Sequence, residues 1–181
     1  MLGDVDKVLI SRDRIAKRIR ELGAEIRRDL DDLSRDGEIV VVPILTGSII
    51  FVADLMRELP NKMRISVIAA SSYPDKSTRS TGVTLGDAVP GDFAGKHVLI
   101  VDDILDSGST IRLIREVIGG RNPKSVRACV LLRKSIPSAM QTPCEYVGFD
   151  IPPEFVVGYG LDYDNYYRNL PDIVTLKKEV M

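Results

Sequence analysis

The chain has 181 residues, with 25 Lys and Arg against 26 Asp and Glu and a formal net charge of −1. This length predicts a single domain, and the balanced charge argues against a nucleic-acid partner. The longest apolar runs, at 49–53 and 128–132, are five residues long. A membrane helix needs about 20, so we expect no membrane partner.

The location of the protein is predicted from its cysteines and its first residues. The two cysteines form neither a disulfide framework nor a metal-binding pattern. The first twenty residues mix charges with isolated aliphatic residues and contain no secretory apolar region. Together these features predict a cytoplasmic protein.

From Ser11 onward, apolar residues recur every three or four positions, which predicts an amphipathic helix with Ser11 as its cap and Gly37 after its end. The apolar positions are Ile15, Ile19, Leu22, Ile26, Leu30 and Leu33. The segment 38–45, which is hydrophobic after Glu38 apart from Pro43, predicts a parallel strand that is covered on both faces. A second helix is predicted over 49–59, ending before Pro60.

Further strands and helices alternate along the rest of the chain. The predicted strands cover 64–70, 97–101, 125–132, 145–149 and 155–159, and the predicted helix covers 109–118. The polar segment 71–95 has no period of either kind, and a loop of this length in a compact domain is usually functional, such as a flexible lid. The alternation predicts an α/β fold with a mostly parallel central sheet flanked by helices. Ligands of such sheets bind beyond the carboxyl ends of the strands.

The most informative segment is 98–110, in which a hydrophobic strand leads into Asp102 and Asp103 and then into a turn rich in hydroxyl residues. Gly108 permits a positive φ, so the backbone N–H groups of the turn can converge on one anion. The N-terminus of the following helix adds its own free N–H groups. These features favour a phosphate-binding turn.

The two carboxylates indicate what else the ligand carries. Asp102 and Asp103 would repel a phosphate, but they suit sugar hydroxyls, a metal ion or a developing positive charge. A phosphorylated sugar satisfies both halves of the segment. Two alternatives stay open from the residues alone: an ordinary helix cap, and a receiver-type acidic pocket that holds Mg²⁺.

The segment 98–110 resembles the phosphoribosyl-pyrophosphate motif of the type I phosphoribosyltransferases, and the chain resembles their hypoxanthine-guanine branch over almost its whole length. The other segments that carry the resemblance are 45–55, 72–73, 131–134, 146–163 and 167–171. The resemblance implies a type I phosphoribosyltransferase fold in a single domain, 1–181. It divides this domain into a core at about 36–145, a flexible lid at about 71–95, and a small C-terminal hood at about 146–181 to which the N-terminal segment contributes.

The resemblance also implies an activity. The enzyme would transfer the phosphoribosyl group of phosphoribosyl pyrophosphate to N9 of hypoxanthine or guanine, and so make IMP or GMP and pyrophosphate in purine salvage. Mg²⁺ would be the cofactor, and relatives of this kind are homodimers or homotetramers.

Within that activity the resemblance assigns roles to the residues of the motif. Asp106 would be the catalytic base for the purine N7 proton. Asp102 and Asp103 would hold the ribose hydroxyls directly or through water and Mg²⁺. The residues expected to bind the ribose 5-phosphate are Asp102, Asp103, Asp106, Ser107, Gly108, Ser109 and Thr110.

The remaining implied roles concern the purine, the pyrophosphate and the lid. Lys134 would donate to the 6-oxo group of the purine, Tyr146 would stack on the base, and Val147 would offer it backbone groups. A solvated lysine and a plain core tyrosine are the alternatives at the first two positions. The residues expected to bind pyrophosphate are Thr46, Gly47 and Arg168, and those expected to open the lid are Ser72 and Tyr73.

A regulator with the same fold, of the RNA-binding pyrimidine-attenuator type, is the main alternative. Its phosphate turn usually reads Tyr-Thr-Gly-Arg-Thr, whereas Asp-Ser-Gly-Ser-Thr occupies 106–110 in this chain. The basic residues of the first helix alternate with acidic ones, which is typical of a solvated helix face. The sequence therefore favours the enzyme.

Overall fold

The computed structural model describes residues 1–69 and 89–180. The predictions made for Ser72, Tyr73 and most of the lid segment 71–95 therefore lie outside the described residues. Among the described residues, no helix is long and apolar enough to cross a membrane.

The secondary structure begins with a short 3-10 helix at Leu2–Asp4 and continues in alternating strands and helices. The strands are β1 (Val5–Ile10), β2 (Ile39–Leu45), β3 (Met63–Ile65), β4 (Ile68–Ala69), β5 (His97–Leu105), β6 (Ser125–Lys134), β7 (Tyr146–Ile151) and β8 (Ile173–Leu176). The helices are α1 (Arg12–Leu33), α2 (Ile49–Arg57), α3 (Ser109–Gly119) and α4 (Pro137–Met140).

The central sheet has the strand order β3-β2-β5-β6-β7, and β4 pairs with the end of β2. All of these pairings are parallel, which confirms the predicted parallel sheet. In the register of the sheet, Leu105 lies opposite Arg133, and Lys134 lies opposite Ile151. The loops that follow β2, β5, β6 and β7 thus emerge at one edge of the sheet.

The core lies on both faces of this sheet, because successive side chains of each central strand point to opposite sides. On one face, Val41 and Leu99 pack with α1 and α2 residues such as Ile26 and Phe51. On the other face lie Val42, Ile100 and the buried α3 residues. The 22-residue helix α1 follows the predicted apolar period, and its cap residue Ser11 accepts a hydrogen bond from the backbone N–H of Arg14 (3.5 Å).

Several predicted elements differ in detail from the structure. β5 extends to Leu105, so that Asp102 and Asp103 lie within the strand, where hydrogen bonds to β6 continue beside them. The predicted strand 64–70 is divided into β3 and β4. The predicted strand 155–159 is wrong: only isolated bridges form among the described residues, from Val157 to Val174 and from Gly158 to Leu161, because the backbone turns into positive φ at residues 158–160.

β1 and β8 form an antiparallel two-stranded sheet that the sequence analysis did not predict. Val5 lies opposite Leu176 in this sheet, so the N-terminal segment is joined to the C-terminal one. These strands are short and their register is irregular. The sequence pattern of each is therefore too weak to stand out alone.

Candidate active site

The two acidic residues of β5 lie side by side near its carboxyl end. Asp102 is 6% exposed, and its Oδ1 accepts a hydrogen bond from the backbone N–H of Asp103 (3.0 Å). Burial and the neighbouring Asp103 carboxylate raise the pKa of Asp102 well above its usual value. Burial also raises the pKa of Asp103, although the positive charge of Arg168 acts in the opposite direction. A site that disfavours two bare carboxylates in this way favours a hydroxyl donor or a cation beside them.

The turn after β5 is open to solvent and shaped for an anion. Gly108 has φ +82° at the N-cap position of α3, and a side chain there would overlap Thr142. The N-cap residue is this glycine and supplies no side-chain cap, and the hydroxyl of the preceding Ser107 accepts a long hydrogen bond from the backbone N–H of Ser109 (3.4 Å). The Oγ atoms of Ser107 and Ser109 lie 2.8 Å apart, and both side chains are exposed. Exposed hydroxyls therefore stand beside one helix N-terminus, which favours an anion.

Lys134 and Asp106 are joined across the edge of the sheet. Lys134 is the last residue of β6, and its Nζ donates a hydrogen bond to Asp106 Oδ2 (3.0 Å). The Lys134 side chain is only 14% exposed, whereas that of Asp106 is 60% exposed. This burial and pairing exclude a merely solvated lysine, and they place an amine and a carboxylate next to the turn at 106–110.

The segments expected to bind pyrophosphate come together around two glycines. Gly47 lies so close to the Asp103 carboxylate that a side chain there would overlap it. Gly160, with φ +104°, packs in the same way against the Gly47 carbonyl oxygen. The Leu45–Thr46 peptide bond is cis. Gly47, which follows Thr46, thus adjoins both Asp103 and the C-terminal segment.

Arg168 is held in the same region by three contacts. Its Nη1 donates to the Gly160 carbonyl oxygen (2.8 Å) and pairs with Asp162 Oδ1 (2.9 Å). Its Nη2 donates to Asn165 Oδ1 (3.1 Å). Through Gly160, the guanidinium is placed beside the loop that contains Gly47.

The structure does not bring Tyr146 and Val147 to the site. Tyr146 begins β7 opposite Cys129, five residues before the Lys134–Ile151 pair; at about 3.3 Å per residue this is about 16 Å. Its ring is 5% exposed in the core. Its hydroxyl donates to Asp29, and Arg127 Nη1 donates to it (3.0 Å).

Val147 is committed elsewhere as well. Its carbonyl oxygen accepts a hydrogen bond from Arg18 Nη2 (2.9 Å), and that of Gly148 accepts one from Arg18 Nε (2.9 Å). Strand alternation and register therefore turn these groups towards α1. The core alternative for Tyr146 matches its position.

Comparison with known proteins identifies the family. A family model described as "Phosphoribosyl transferase domain" matches residues 9–164. A hypoxanthine-guanine phosphoribosyltransferase of Mycobacterium tuberculosis is 42% identical over 182 aligned positions, which cover 98% of this chain and 89% of that protein. The chain belongs to the hypoxanthine-guanine phosphoribosyltransferase family. A hypoxanthine phosphoribosyltransferase of Escherichia coli K12 is also 42% identical, covering 92% of this chain and 93% of that protein.

Solved structures of the family share this fold. The hypoxanthine phosphoribosyltransferase of Trypanosoma cruzi, in complex with the product IMP, has a TM-score of 0.83 and 34% identity, covering 97% of this chain and 92% of that one. That of Staphylococcus aureus has a TM-score of 0.83 and 35% identity, with 99% and 96% covered. The predicted type I phosphoribosyltransferase fold is confirmed, and an RNA-binding regulator is not favoured.

One exposed aromatic side chain near this edge of the sheet was not singled out in the sequence analysis. Phe155 follows β7 at the carboxyl edge of the sheet and is 46% exposed. Its ring meets that of Tyr163 edge to face, with centroids 5.7 Å apart. The signal available in the sequence was an aromatic residue shortly after the last strand of the parallel sheet. The apolar run around it was interpreted as a further strand.

The acidic pair also defines where a metal fits. Residues 1–69 and 89–180 contain no group of three or more His, Cys, Asp or Glu side chains arranged to hold a metal ion. Mg²⁺, however, is commonly held by one or two carboxylates together with waters and phosphate oxygens of the substrate. Asp102 and Asp103 offer two adjacent carboxylates whose pKa values are raised above all by burial, so a cation beside them would be favourable. The donor set fits a hard cation that arrives with a phosphorylated ligand.

Proposed function

We propose that this protein transfers the phosphoribosyl group of phosphoribosyl pyrophosphate to N9 of hypoxanthine or guanine, making IMP or GMP and pyrophosphate for purine salvage. The observation that carries the proposal is the convergence of three groups on one sheet edge: the anion-binding turn at 106–110, the buried acidic pair, and the Lys134–Asp106 ion pair. The names of the relatives support these substrates, and the bound IMP of the T. cruzi enzyme supports the product.

In the proposed reaction the bond from C1 of the ribose to pyrophosphate breaks and a bond from C1 to the purine N9 forms. The sugar passes through a state that resembles an oxocarbenium ion. Asp102 and Asp103 hold the ribose hydroxyls, and their negative charge stabilises that cation. Mg²⁺, when bound, would be held by Asp102 and Asp103 and would neutralise charge on the departing pyrophosphate.

Asp106 is the proposed general base, because its exposed carboxylate stands at the rim of the turn and can accept the N7 proton of the purine. Its partner Lys134 lies within reach of the same base, and its ammonium group donates to the 6-oxo oxygen. Adenine has an amino donor at that position, so the lysine would favour 6-oxopurines.

Pyrophosphate binding is assigned to Thr46, Gly47 and Arg168. The contact between Gly47 and Gly160 leaves no room for side chains, so the backbone of the loop can approach an anion closely. The Arg168 guanidinium, held by Gly160, Asp162 and Asn165, adds the positive charge. Phosphate oxygens can accept two hydrogen bonds at once from such a group.

For the aromatic contact with the purine we propose Phe155 in place of Tyr146. Phe155 is half exposed beside Tyr163 at the correct edge of the sheet. Tyr146 and Val147 are occupied by Asp29 and Arg18. The ring of Phe155 is free to stack on a flat base.

The remaining features of the proposal concern the whole protein. We propose a cytoplasmic homodimer or homotetramer, and one solved structure of the T. cruzi relative concerns the oligomeric state of that enzyme. The single domain would have its core at about 36–145 and its hood at about 146–181 with the N-terminal segment, a division that the β1–β8 pairing supports. The segment 71–95, with Ser72 and Tyr73, is the proposed lid.

The test is incubation with hypoxanthine, phosphoribosyl pyrophosphate and Mg²⁺, followed by an assay for IMP, with guanine and xanthine in parallel. Formation of IMP or GMP supports the proposal. Salt-sensitive binding to RNA without any purine turnover would support the RNA-binding regulator instead.

A further inference from the structure

Arg112 lies on the first turn of α3, two residues beyond the phosphoribosyl-pyrophosphate motif. Its Nη1 donates a hydrogen bond to the Ser107 carbonyl oxygen (3.3 Å) and one to Thr142 Oγ1 (2.5 Å). A Cβ atom on Gly108 would lie 2.8 Å from the same nitrogen. The guanidinium therefore rests directly against the backbone of the anion-binding turn.

Within residues 1–69 and 89–180, no acidic side chain pairs with the positive charge of Arg112. Among the described residues it forms no ion pair, and both of its hydrogen-bond acceptors are uncharged oxygens. The other arginine of α3, Arg115, pairs with Glu145. Arg112 is exposed, and within the described residues no hydrogen bond engages its Nε or Nη2. A free permanent charge thus stands beside a turn that contains no Lys or Arg of its own.

Thr142 contacts both Arg112 and Gly108. It is 3% exposed, and its Oγ1 donates to the Ser138 carbonyl oxygen (2.8 Å) while it accepts from Arg112. Gly108 packs directly against it. The loop after β6 therefore supports the turn after β5 through one buried hydroxyl and one guanidinium.

We propose that Arg112 is a positioning and charge-supplying residue for the 5-phosphate of the pentose substrate. By donating to the Ser107 carbonyl oxygen, Arg112 keeps the negative end of that carbonyl dipole away from the anion. The N-terminus of the helix is then left to face the anion. Its free charge offsets the repulsion that Asp102, Asp103 and Asp106 exert on a phosphate. That the ligand is a pentose 5-phosphate rests on the proposed function. That Arg112 helps this turn to bind an anion does not depend on it.

The test compares Arg112→Met, which keeps an apolar stem and removes the charge, with Arg112→Lys and Thr142→Val. For Arg112→Met we expect the KM for phosphoribosyl pyrophosphate to rise about tenfold, the size of effect typical of losing a hydrogen bond to a charged group. We expect kcat to stay within about twofold, because the phosphate is held equally before and during the reaction. Arg112→Lys and Thr142→Val each retain half of the arrangement, so we expect intermediate KM values.

Arg115→Met is the matched control, since it removes an equal charge from the same helix one turn further on. It should leave the KM for phosphoribosyl pyrophosphate unchanged. The affinity for ribose 5-phosphate and for inorganic phosphate, measured by calorimetry, should fall in Arg112→Met and not in the control. Added salt should reduce the difference in affinity between Arg112→Met and the wild type.

Each outcome separates the two proposals. Suppose that the wild type makes IMP and that Arg112→Met binds ribose 5-phosphate and inorganic phosphate with wild-type affinity. The role of Arg112 is then excluded, while the proposed function stands. If no purine is turned over but Arg112→Met still loses affinity for ribose 5-phosphate, the function fails and the anion role stands. An equal loss of affinity for purine and for phosphate, together with a lower Tm, would show a structural role alone and overturn the inference.

Discussion

The Nζ atom of Lys134 lies 3.0 Å from Asp106 Oδ2, which joins the ends of two neighbouring parallel strands at the edge where the phosphate turn opens. In the protein without ligand, Lys134 donates a hydrogen bond that Asp106 accepts. In the proposed reaction a 6-oxopurine would offer a carbonyl acceptor to the lysine and an N–H donor to the carboxylate. The ion pair would then keep both groups in place until the purine takes over their hydrogen bonds.

Substitution of the proposed base should separate catalysis from folding. Asp106→Asn keeps the size of an exposed side chain and should leave Tm and IMP affinity nearly unchanged, while kcat falls by about 10²–10⁴, the usual contribution of a general base. Steady-state kinetics and titration with IMP measure the two effects. An unchanged kcat would exclude Asp106 as the base.

Removal of the amine should affect purine recognition. Lys134→Ala should raise the KM for hypoxanthine and guanine, because the 6-oxo acceptor loses its donor, and should leave the KM for phosphoribosyl pyrophosphate within about twofold. Lys124→Ala is a suitable control, since this lysine lies at the opposite edge of the sheet near Asp36. Equal KM values for purine in wild type and Lys134→Ala would remove Lys134 from the base site.

Two aromatic substitutions distinguish the residue in the core from the residue at the site. Phe155→Ala should raise the KM for hypoxanthine about tenfold or more, as a stacking contact with a base is worth about 1–3 kcal/mol. Tyr146→Phe should leave this KM unchanged and lower the free energy of unfolding by about 1–3 kcal/mol, because Asp29 and Arg127 lose a buried partner. Kinetics and urea denaturation give both values, and the reverse pattern would restore Tyr146 as the stacking residue.

The glycine that separates the pyrophosphate loop from the C-terminal segment should not tolerate a methyl group. Gly160→Ala places a Cβ against the Gly47 carbonyl oxygen at φ +104°, so we expect a loss of about 1–3 kcal/mol in stability and a higher KM for pyrophosphate in the reverse reaction. Gly119→Ala at the end of α3 meets nothing within 4 Å and serves as the control. Wild-type stability in Gly160→Ala would mean that the two segments do not pack as described.

The only histidine should make stability depend on pH. His97 is 5% exposed at the start of β5, with Ser125 Oγ 2.8 Å from its Nδ1 and, among the residues that the structure describes, no partner at its buried Nε2. Burial lowers its pKa, and the positive charges of Lys124 and Arg127 act in the same direction, against Asp36. The unfolded chain therefore binds a proton more readily than the folded one, so folding loses stability as pH falls below about 6.5, the ordinary pKa of histidine.

This effect is measured by comparing urea denaturation of the wild type and His97→Gln between pH 8 and pH 5.5. The wild type should lose stability relative to the variant as the pH decreases, since glutamine does not titrate. A constant difference across this range would mean that the histidine titrates alike in the folded and unfolded chains.

The sequence alone determined the features that are encoded within short stretches of chain. The apolar period of α1, the parallel-strand runs, and the turn with Gly108 depend on neighbours a few residues apart, so periodicity and turn chemistry predict them. The acidic residues of β5 and the turn expected to bind phosphate are also neighbours in the sequence, so both could be predicted for the same reason. The resemblance to the family added roles for Asp106, Lys134 and Arg168, and the structure places these three at one edge of the sheet or beside the Gly47 loop.

The tertiary structure alone decided which side chains face the site. Tyr146 and Phe155 are both aromatic residues near one strand, but strand alternation and register bury the first against α1 and leave the second exposed at the carboxyl edge. The approach of Gly160 to Gly47, the pairing of β1 with β8, and the support of the phosphate turn by Thr142 all join distant parts of the chain. Such contacts depend on how whole elements pack, and no local pattern of residues specifies them.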